Sequence, residues 1–260
     1  MKTPVLFVSH GAPSLLLEPG KTGAAWKNIA ATLPPVKAIL VISAHWETSL
    51  PTLSQASHPE TIHDFSGFPA ELDTWHYAAP GAPEVANNAA LALQQAGIAV
   101  QLDAVRGLDH GAWVPLSLMY PQADVPVTQL SIQPAQSPAW HLALGRALRP
   151  LREQGVLVMA SGSITHNLPA IFKHPPEEPA PLWVTEFCDW IAARINAGDM
   201  DALSAYRSRA PHAVLNHPSD EHLLPLFVAL GAAEGWERAL RFNQVMTFGM
   251  LAMDGWLLSD

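Results

Sequence analysis

The stretch Ala38 to Glu47, A-I-L-V-I-S-A-H-W-E, constrains this chain more than any other. Its first five residues are apolar without a polar break, too short a run for a helix and rich in β-branched side chains. It therefore reads as a strand buried on both faces, as in a parallel sheet. His45 then stands where such a strand would end. Ligands of open α/β sheets sit just beyond the carboxyl ends of the strands, so that is a position for chemistry. The same arrangement appears twice more: Val5 to Val8 leads to His10, and Val156 to Ala160 leads through Ser161-Gly162-Ser163 to His166. Three apolar strands far apart in sequence are thus expected to carry imidazoles to one edge of one sheet.

A chain of 260 residues, 49% of them hydrophobic, has enough apolar surface for one large α/β domain, and residues 1–260 are expected to form one. No window holds the ~18 consecutive apolar residues that cross a bilayer. The opening Met1-Lys2-Thr3-Pro4 has no signal-peptide pattern. A soluble, cytoplasmic protein is expected. The single cysteine, Cys188, cannot form an internal disulfide, which fits a reducing compartment, and no catalytic thiol is expected. A net charge of -9 opposes binding to nucleic acid or to an anionic membrane. The 12 histidines nearly equal the 14 lysines and arginines, and this excess directs the search for function toward imidazole.

Along the chain, strands and helices alternate. A helix over Ala24 to Thr32 follows the first strand, and Thr52 to Ser54 is a short strand after His45. The Pro-rich region His58 to Pro83 carries His63, Asp64, Phe65, Phe68, Trp75, His76 and Tyr77. Long runs of this kind inside compact domains serve as lids or binding loops, so a substrate-facing wall is expected there. Pro83 opens a helix to about Gln95, stopped by Gly97, and a strand over Ile98 to Leu102 follows. Gly107 to Trp113 reads as a loop and Val125 to Ile132 as a strand. Ser137 caps a helix that runs from Pro138 to Glu153. A Pro-rich loop over Pro169 to Pro181 precedes a helix over Leu182 to Asn196, with Gly198 as its stop. Pro225 places the start of the next helix near Leu224, with His222 in the entering turn. Two strand-like runs, Arg241 to Phe248 and Met250 to Leu258, are expected to close the sheet at an edge. The pattern is that of an α/β fold whose central sheet is mainly parallel or mixed.

Neutral imidazole suits Zn, Fe, Cu and Ni, and three nitrogen ligands with open positions describe a catalytic metal site. Singly, each histidine also reads as an ordinary hydrogen-bonded residue; His10, His45, His166 and His222 stand out as a set. Glu221 beside His222 leaves the third ligand open, since a facial triad uses two histidines and one carboxylate. His110 lies in a Gly-flanked loop with Asp109, which either orients the ring or caps a turn. His141 falls inside a helix, where a packing role is expected. Nucleophile-elbow, dinucleotide-binding and phosphate-cradling motifs are missing from the sequence.

Seven words resemble one family: V-S-H-G-A-P (Val8 to Pro13), S-A-H-W-E (Ser43 to Glu47), T-I-H-D-F-S-G-F-P (Thr61 to Pro69), D-H-G-A-W (Asp109 to Trp113), Q-L-S-I (Gln129 to Ile132), S-G-S-I-T-H-N-L (Ser161 to Leu168) and D-E-H-L-L-P-L (Asp220 to Leu226). Together, in this order, they resemble the class III extradiol catechol dioxygenases of the LigB superfamily, in the branch that acts on DOPA. The resemblance implies a metal held by His10, His45 and His222, with the metal site at the strand C-terminal ends. His166 would be the acid/base and a candidate fourth metal contact. His110 would lie against a substrate hydroxyl and donate to developing oxygen charge, and His63 and Phe65 would touch the substrate. Relatives that cleave protocatechuate use a glutamate as third ligand; the DOPA branch uses the histidine, so His222 is expected rather than Glu221. The implied cofactor is Fe(II), with Zn(II) plausible in purified protein. The implied reactants are a catechol and O2, giving a ring-opened semialdehyde. A Zn-dependent hydrolase on the same histidines and a non-catalytic binding protein of the Memo type are the alternatives. The chain departs from the family pattern at Ala79, where relatives often carry a further proline.

Overall fold

The computed structural model describes residues 2–175, 177–236 and 238–260. Its strands are β1 (Val5–Ser9), β2 (Ala38–Glu47), β3 (Thr52–Ser54), β4 (Gln101–Asp103), β5 (Val127–Ile132), β6 (Val156–Gly162), β7 (Arg238–Asn243), β8 (Met246–Thr247), β9 (Leu251–Ala252) and β10 (Gly255–Ser259). The main helices are α1 (Gly20–Thr32), α2 (Pro83–Gln95), α3 (His110–Met119), α4 (Pro138–Glu153), α5 (Leu182–Ala197) and α6 (Leu224–Ala232).

Eight strands form a mixed sheet in the order β4-β3-β5-β2-β6-β1-β10-β7. The three His-bearing strands β2, β6 and β1 are adjacent and mutually parallel, and β5 extends the parallel block on the far side of β2. Every residue of β1, β5 and β6 is buried, as expected for strands covered on both faces. The C-terminal segment closes one side: β10 runs antiparallel to β1, and β7 lies antiparallel to β10 at the edge. The tail therefore does reach the edge of the sheet. It is broken, however, into four short strands, of which β8 and β9 form a separate hairpin.

Most helices begin and end where side-chain chemistry puts them. Ser137 accepts from the Trp140 N–H to cap α4, Pro83 occupies the first turn of α2, and Gly198 adopts the left-handed conformation that ends α5. Residues 110–113, read as a loop, are instead the first turn of α3, because Asp109 caps that helix by accepting from the Ala112 N–H. Helices α4 and α6 cross so closely that a Cβ on Gly145 would lie 2.1 Å from the Val228 carbonyl oxygen, and one on Gly231 2.1 Å from that of Leu142. The Pro-rich loop over 169–181 contains one short helix, Leu168–Ile171, at its start; position 176 lies outside the described residues. No helix among the described residues is long and apolar enough to cross a membrane.

His141 shows the packing role expected of it. The ring is fully buried; Nδ1–H donates to the Ser137 carbonyl (3.0 Å) and Nε2 accepts from the Gln133 N–H (3.4 Å). Both nitrogens are satisfied in the neutral form, and burial pushes the pKa from 6.5 down to about 4 against the opposing hydrogen bond to Ser137. A folded-state value below the unfolded one makes this contribution full above pH 6.5 and progressively lost as pH falls toward 4. By linkage His141 alone is expected to cost about 2 kcal/mol of stability between neutral pH and pH 5. Urea unfolding across that range should therefore show a shallower pH dependence for His141→Gln than for the parent chain. Identical slopes would remove this account.

Candidate metal centre

The ends of β1, β2 and β6 form the floor of the site. His10 directly follows β1, and its N–H donates to the Gly162 carbonyl (3.0 Å). His45 lies in β2, where the register with β5 shifts between Ile42 and Glu47; such irregularities bend a strand and re-aim its side chains. The β6 end receives the turn that carries His222: the Ser163 N–H donates to the His222 carbonyl at 2.8 Å. A Cβ on Gly162 would stand 2.2 Å from that oxygen, so only glycine permits the approach. The turn is tied from its other side, where the Leu223 and Leu224 N–H groups donate to the Asp220 carbonyl and the Asp220 carboxylate accepts from Tyr206 and Arg207.

Donor atoms of His10, His45 and His222 all lie within 4.8 Å of one another. Their hydrogen bonds reveal which nitrogens are free. Ser161 gives its one hydroxyl proton to the Gly111 carbonyl, so its oxygen accepts from His10 Nδ1–H at 3.0 Å. Glu221 Oε1 accepts from His222 Nδ1–H at 3.0 Å. His10 Nε2 is thereby bare and faces His45 Nε2 at 3.0 Å, while His222 Nε2 is buried and has no partner among the described residues. Burial first, then repulsion from the neighbouring imidazoles, holds His10 and His222 well below the usual histidine range. Burial and His110 push His45 down to about 4 against the opposing pull of Asp109 and Asp64. The rings are neutral at pH 7, with lone pairs available to a cation.

His110 and His166 flank this group. The His110 ring is 3.9 Å from that of His45, centroid to centroid, and its Nδ1–H donates to Asp64 Oδ1 at 2.8 Å. Burial raises the Asp64 carboxyl, but the His110 hydrogen bonds and charge outweigh it and hold the group at about 2. Asp109 does not orient His110. Its fully buried carboxylate is engaged by Ser43 (2.6 Å), Gln129 (2.8 Å), Arg106 (3.1 Å) and the Ala112 N–H (3.3 Å). His166 stacks on His222, with ring centroids 3.4 Å apart and planes within 8°. Instead of joining the donor group of His10 and His45, it groups with Glu221 and His222. Burial pushes His166 down to about 4, opposed by Glu221.

Phe65 meets the edge of His110 at 5.8 Å and lies 6.0 Å from Trp113, with Phe68 behind it at 5.5 Å. His63 is exposed and one layer farther out, against Phe65 (5.9 Å) and Trp113 (5.8 Å), and its Nε2 meets the Trp75 carbonyl at 3.0 Å. Sequence reasoning named Asp64 only as part of a substrate-facing wall and passed over Ser161, yet both contact the histidines directly. Their types are common in loops and strand ends, and only the three-dimensional arrangement shows which way they face. A wide hollow of about 910 Å3, lined by Asn196, Trp236 and Leu240 among others, contains none of these histidines.

Residues 5–250 match the family model described as the catalytic LigB subunit of aromatic ring-opening dioxygenase. The chain belongs to the LigB family. It is 44% identical over 232 residues to the 4,5-DOPA dioxygenase extradiol of Beta vulgaris, covering 87% of this chain and 85% of that one. It is 40% identical over 256 residues to the Escherichia coli K12 protein of the same name, covering 97% and 93%. The crystal structure of an uncharacterized protein from Escherichia coli K12 superposes with a TM-score of 0.84 at 33% identity, covering 99% of this chain and 100% of that one. LigB dioxygenases depend on a metal, and the donor set fits one: the bare Nε2 of His10 and the buried Nε2 of His222, unpartnered among the described residues, lie within 4.8 Å of each other and of a His45 nitrogen.

In this LigB protein, Gly162 is what allows the His222 turn to dock. Gly162→Ala should lower stability by about 1–3 kcal/mol through overpacking and weaken Zn2+ binding, because the His222 carbonyl must retreat. Chelator competition together with thermal unfolding measures both; unchanged Zn2+ affinity would show that the close approach does not place His222.

Proposed function

We propose that this LigB-family dioxygenase uses Fe(II) held by His10, His45 and His222 to open the ring of a DOPA-like catechol, giving a semialdehyde. The convergence of those three donor nitrogens, with His110 and His166 on either side, is the observation that carries the reading. Nitrogen donors from three histidines suit iron as well as zinc, and they leave positions open for reactants. When bound, the metal brings a catechol and O2 together and polarises the catechol oxygens.

The chain's own residues do the proton work. Among the described residues no hydrogen bond reaches the ring of His166, which accepts a catechol proton, to return it later in ring opening. His110 lies against a substrate hydroxyl, fixed through Nδ1 by Asp64. Phe65 packs against the ring of the substrate beside His110, and His63 reaches its outer part. Glu221 steadies His222 from behind rather than replacing it. Among the readings left open by the sequence, a family of ring-opening dioxygenases favours oxygen chemistry over hydrolysis or simple binding. We further place the protein in the cytoplasm as one domain over residues 1–260. Its single cysteine is buried, and burial pushes the thiol above its usual range, which disfavours the reactive thiolate.

His166→Ala and His166→Phe are expected to keep their metal content and lose ring opening by at least about 10²-fold, the scale of a lost acid/base. Oxygen uptake and formation of a yellow product from L-DOPA, after anaerobic reconstitution with Fe(II), provide the measurement. Turnover near that of the parent enzyme would remove His166 from the role.

A further inference from the structure

Asp64 touches two of the site's histidines at once. Its Oδ1 accepts from both the backbone N–H (3.0 Å) and Nδ1–H (2.8 Å) of His110, and its Oδ2 lies 3.5 Å from His45 Nδ1. The loop that carries it is tied to the segment entering α3. The Ile62 N–H donates to the Leu108 carbonyl (2.7 Å), the Leu108 N–H to Glu60 (2.8 Å), and the Trp113 indole to Ile62 (2.9 Å). The carboxylate and the rings it faces are therefore fixed relative to one another by main-chain contacts. The other nearby carboxylate, Asp109, is fully engaged elsewhere.

A carboxylate can only accept, and a neutral imidazole has one N–H to give. Facing Asp64, His110 carries that hydrogen on Nδ1 and leaves Nε2 bare. Toward His45 the carboxylate only approaches, 3.5 Å from Nδ1, and the 3.0 Å contact between His45 Nε2 and the bare His10 Nε2 is a hydrogen bond that His45 donates. We propose that Asp64 is a positioning residue that sets the Nδ1–H tautomer of His110, making His110 a proton acceptor toward the substrate. This reverses the donor role that the family resemblance implied for His110. Only the acceptor function rests on the dioxygenase reading; the tautomer assignment does not.

The proton balance is closed. The substrate O–H bond breaks and its proton moves to His110 Nε2; the imidazolium keeps Nδ1–H on Asp64, which stays ionised. The same proton then leaves Nε2 for a product oxygen, and no oxidant or further reactant is consumed at this residue. An oriented carboxylate beside a metal-ligating histidine also strengthens the metal site, typically by about 10–100-fold in affinity.

The test compares the full-length parent chain with Asp64→Leu and Asp64→Glu, each loaded with Zn2+ and checked for folding by thermal unfolding. Leucine has no acceptor, whereas an asparagine oxygen would still hold the His110 N–H. Imidazole ¹⁵N NMR should report His110 as the Nδ1–H tautomer in the parent and in Asp64→Glu, and lose that tautomer in Asp64→Leu. Zn2+ affinity, by chelator competition, should fall about 10-fold or more in Asp64→Leu only. In the Fe(II) form of Asp64→Leu, kcat on L-DOPA should fall about 10²-fold with KM changed less than about threefold. Loss of the tautomer and of Zn2+ affinity supports the positioning role even if the parent opens no catechol, in which case the dioxygenase reading alone fails. An unchanged His110 tautomer with unchanged Zn2+ affinity in Asp64→Leu, or equal losses in Asp64→Leu and Asp64→Glu, would overturn the proposal.

Discussion

A hydroxyl group has one proton to give, and at Ser161 it goes to the carbonyl of Gly111, so the oxygen can only accept from His10. That single constraint propagates through the site. It strips the proton from His10 Nε2 and aims a bare lone pair at His45. Glu221 does the same to His222 from the opposite side. Burying so many imidazoles together is costly without compensation, and the compensation comes in two parts. Oxygen partners satisfy the outward nitrogens, and a cation would satisfy the inward ones.

The backbone makes this possible by bringing unrelated segments unusually close. Ser161 is the residue of β6 just before its last, Gly162, Gly111 lies in the first turn of α3, and the bond between them fastens the helix to the sheet directly beneath the histidines. Side chains would obstruct such contacts: a Cβ on Gly111 would meet Ser43 Oγ at 2.5 Å and His45 Cδ2 at 3.1 Å. The buried carboxylate of Asp109 then secures the same corner, since it caps α3 while accepting from Ser43 on β2 and Gln129 on β5. Packing, capping and ligand placement are one arrangement here.

How much of this could be read from the residues depended on whether the information was local. The apolar runs of β1, β2 and β6, the Ser137 cap, Pro83 and Gly198 are local, and they mark the elements they begin or end. That the three His-bearing strands lie side by side is not local, yet the repeated strand-then-histidine pattern pointed to it. Glycine misled at α3: Gly107 and Gly111 suggest a loop, but Asp109 caps a helix that begins at His110. Between the neighbours His63 and Asp64 the residues alone do not choose, because in an irregular segment no periodicity tells which of the two points inward. His63 proved the outer of the two.

The loop contacts of Asp64 have an evolutionary consequence. Phe65 follows it directly and Phe68 packs on Phe65, so the residues that shape the aromatic wall and the carboxylate that holds His110 share one short, tightly tethered piece of chain. Remodelling that wall to admit a bulkier ring would drag the carboxylate with it. Descendants of this chain that diversify what they accept are therefore expected to vary at the outer layer, around His63 and the half-exposed Trp75, and to leave the inner loop alone.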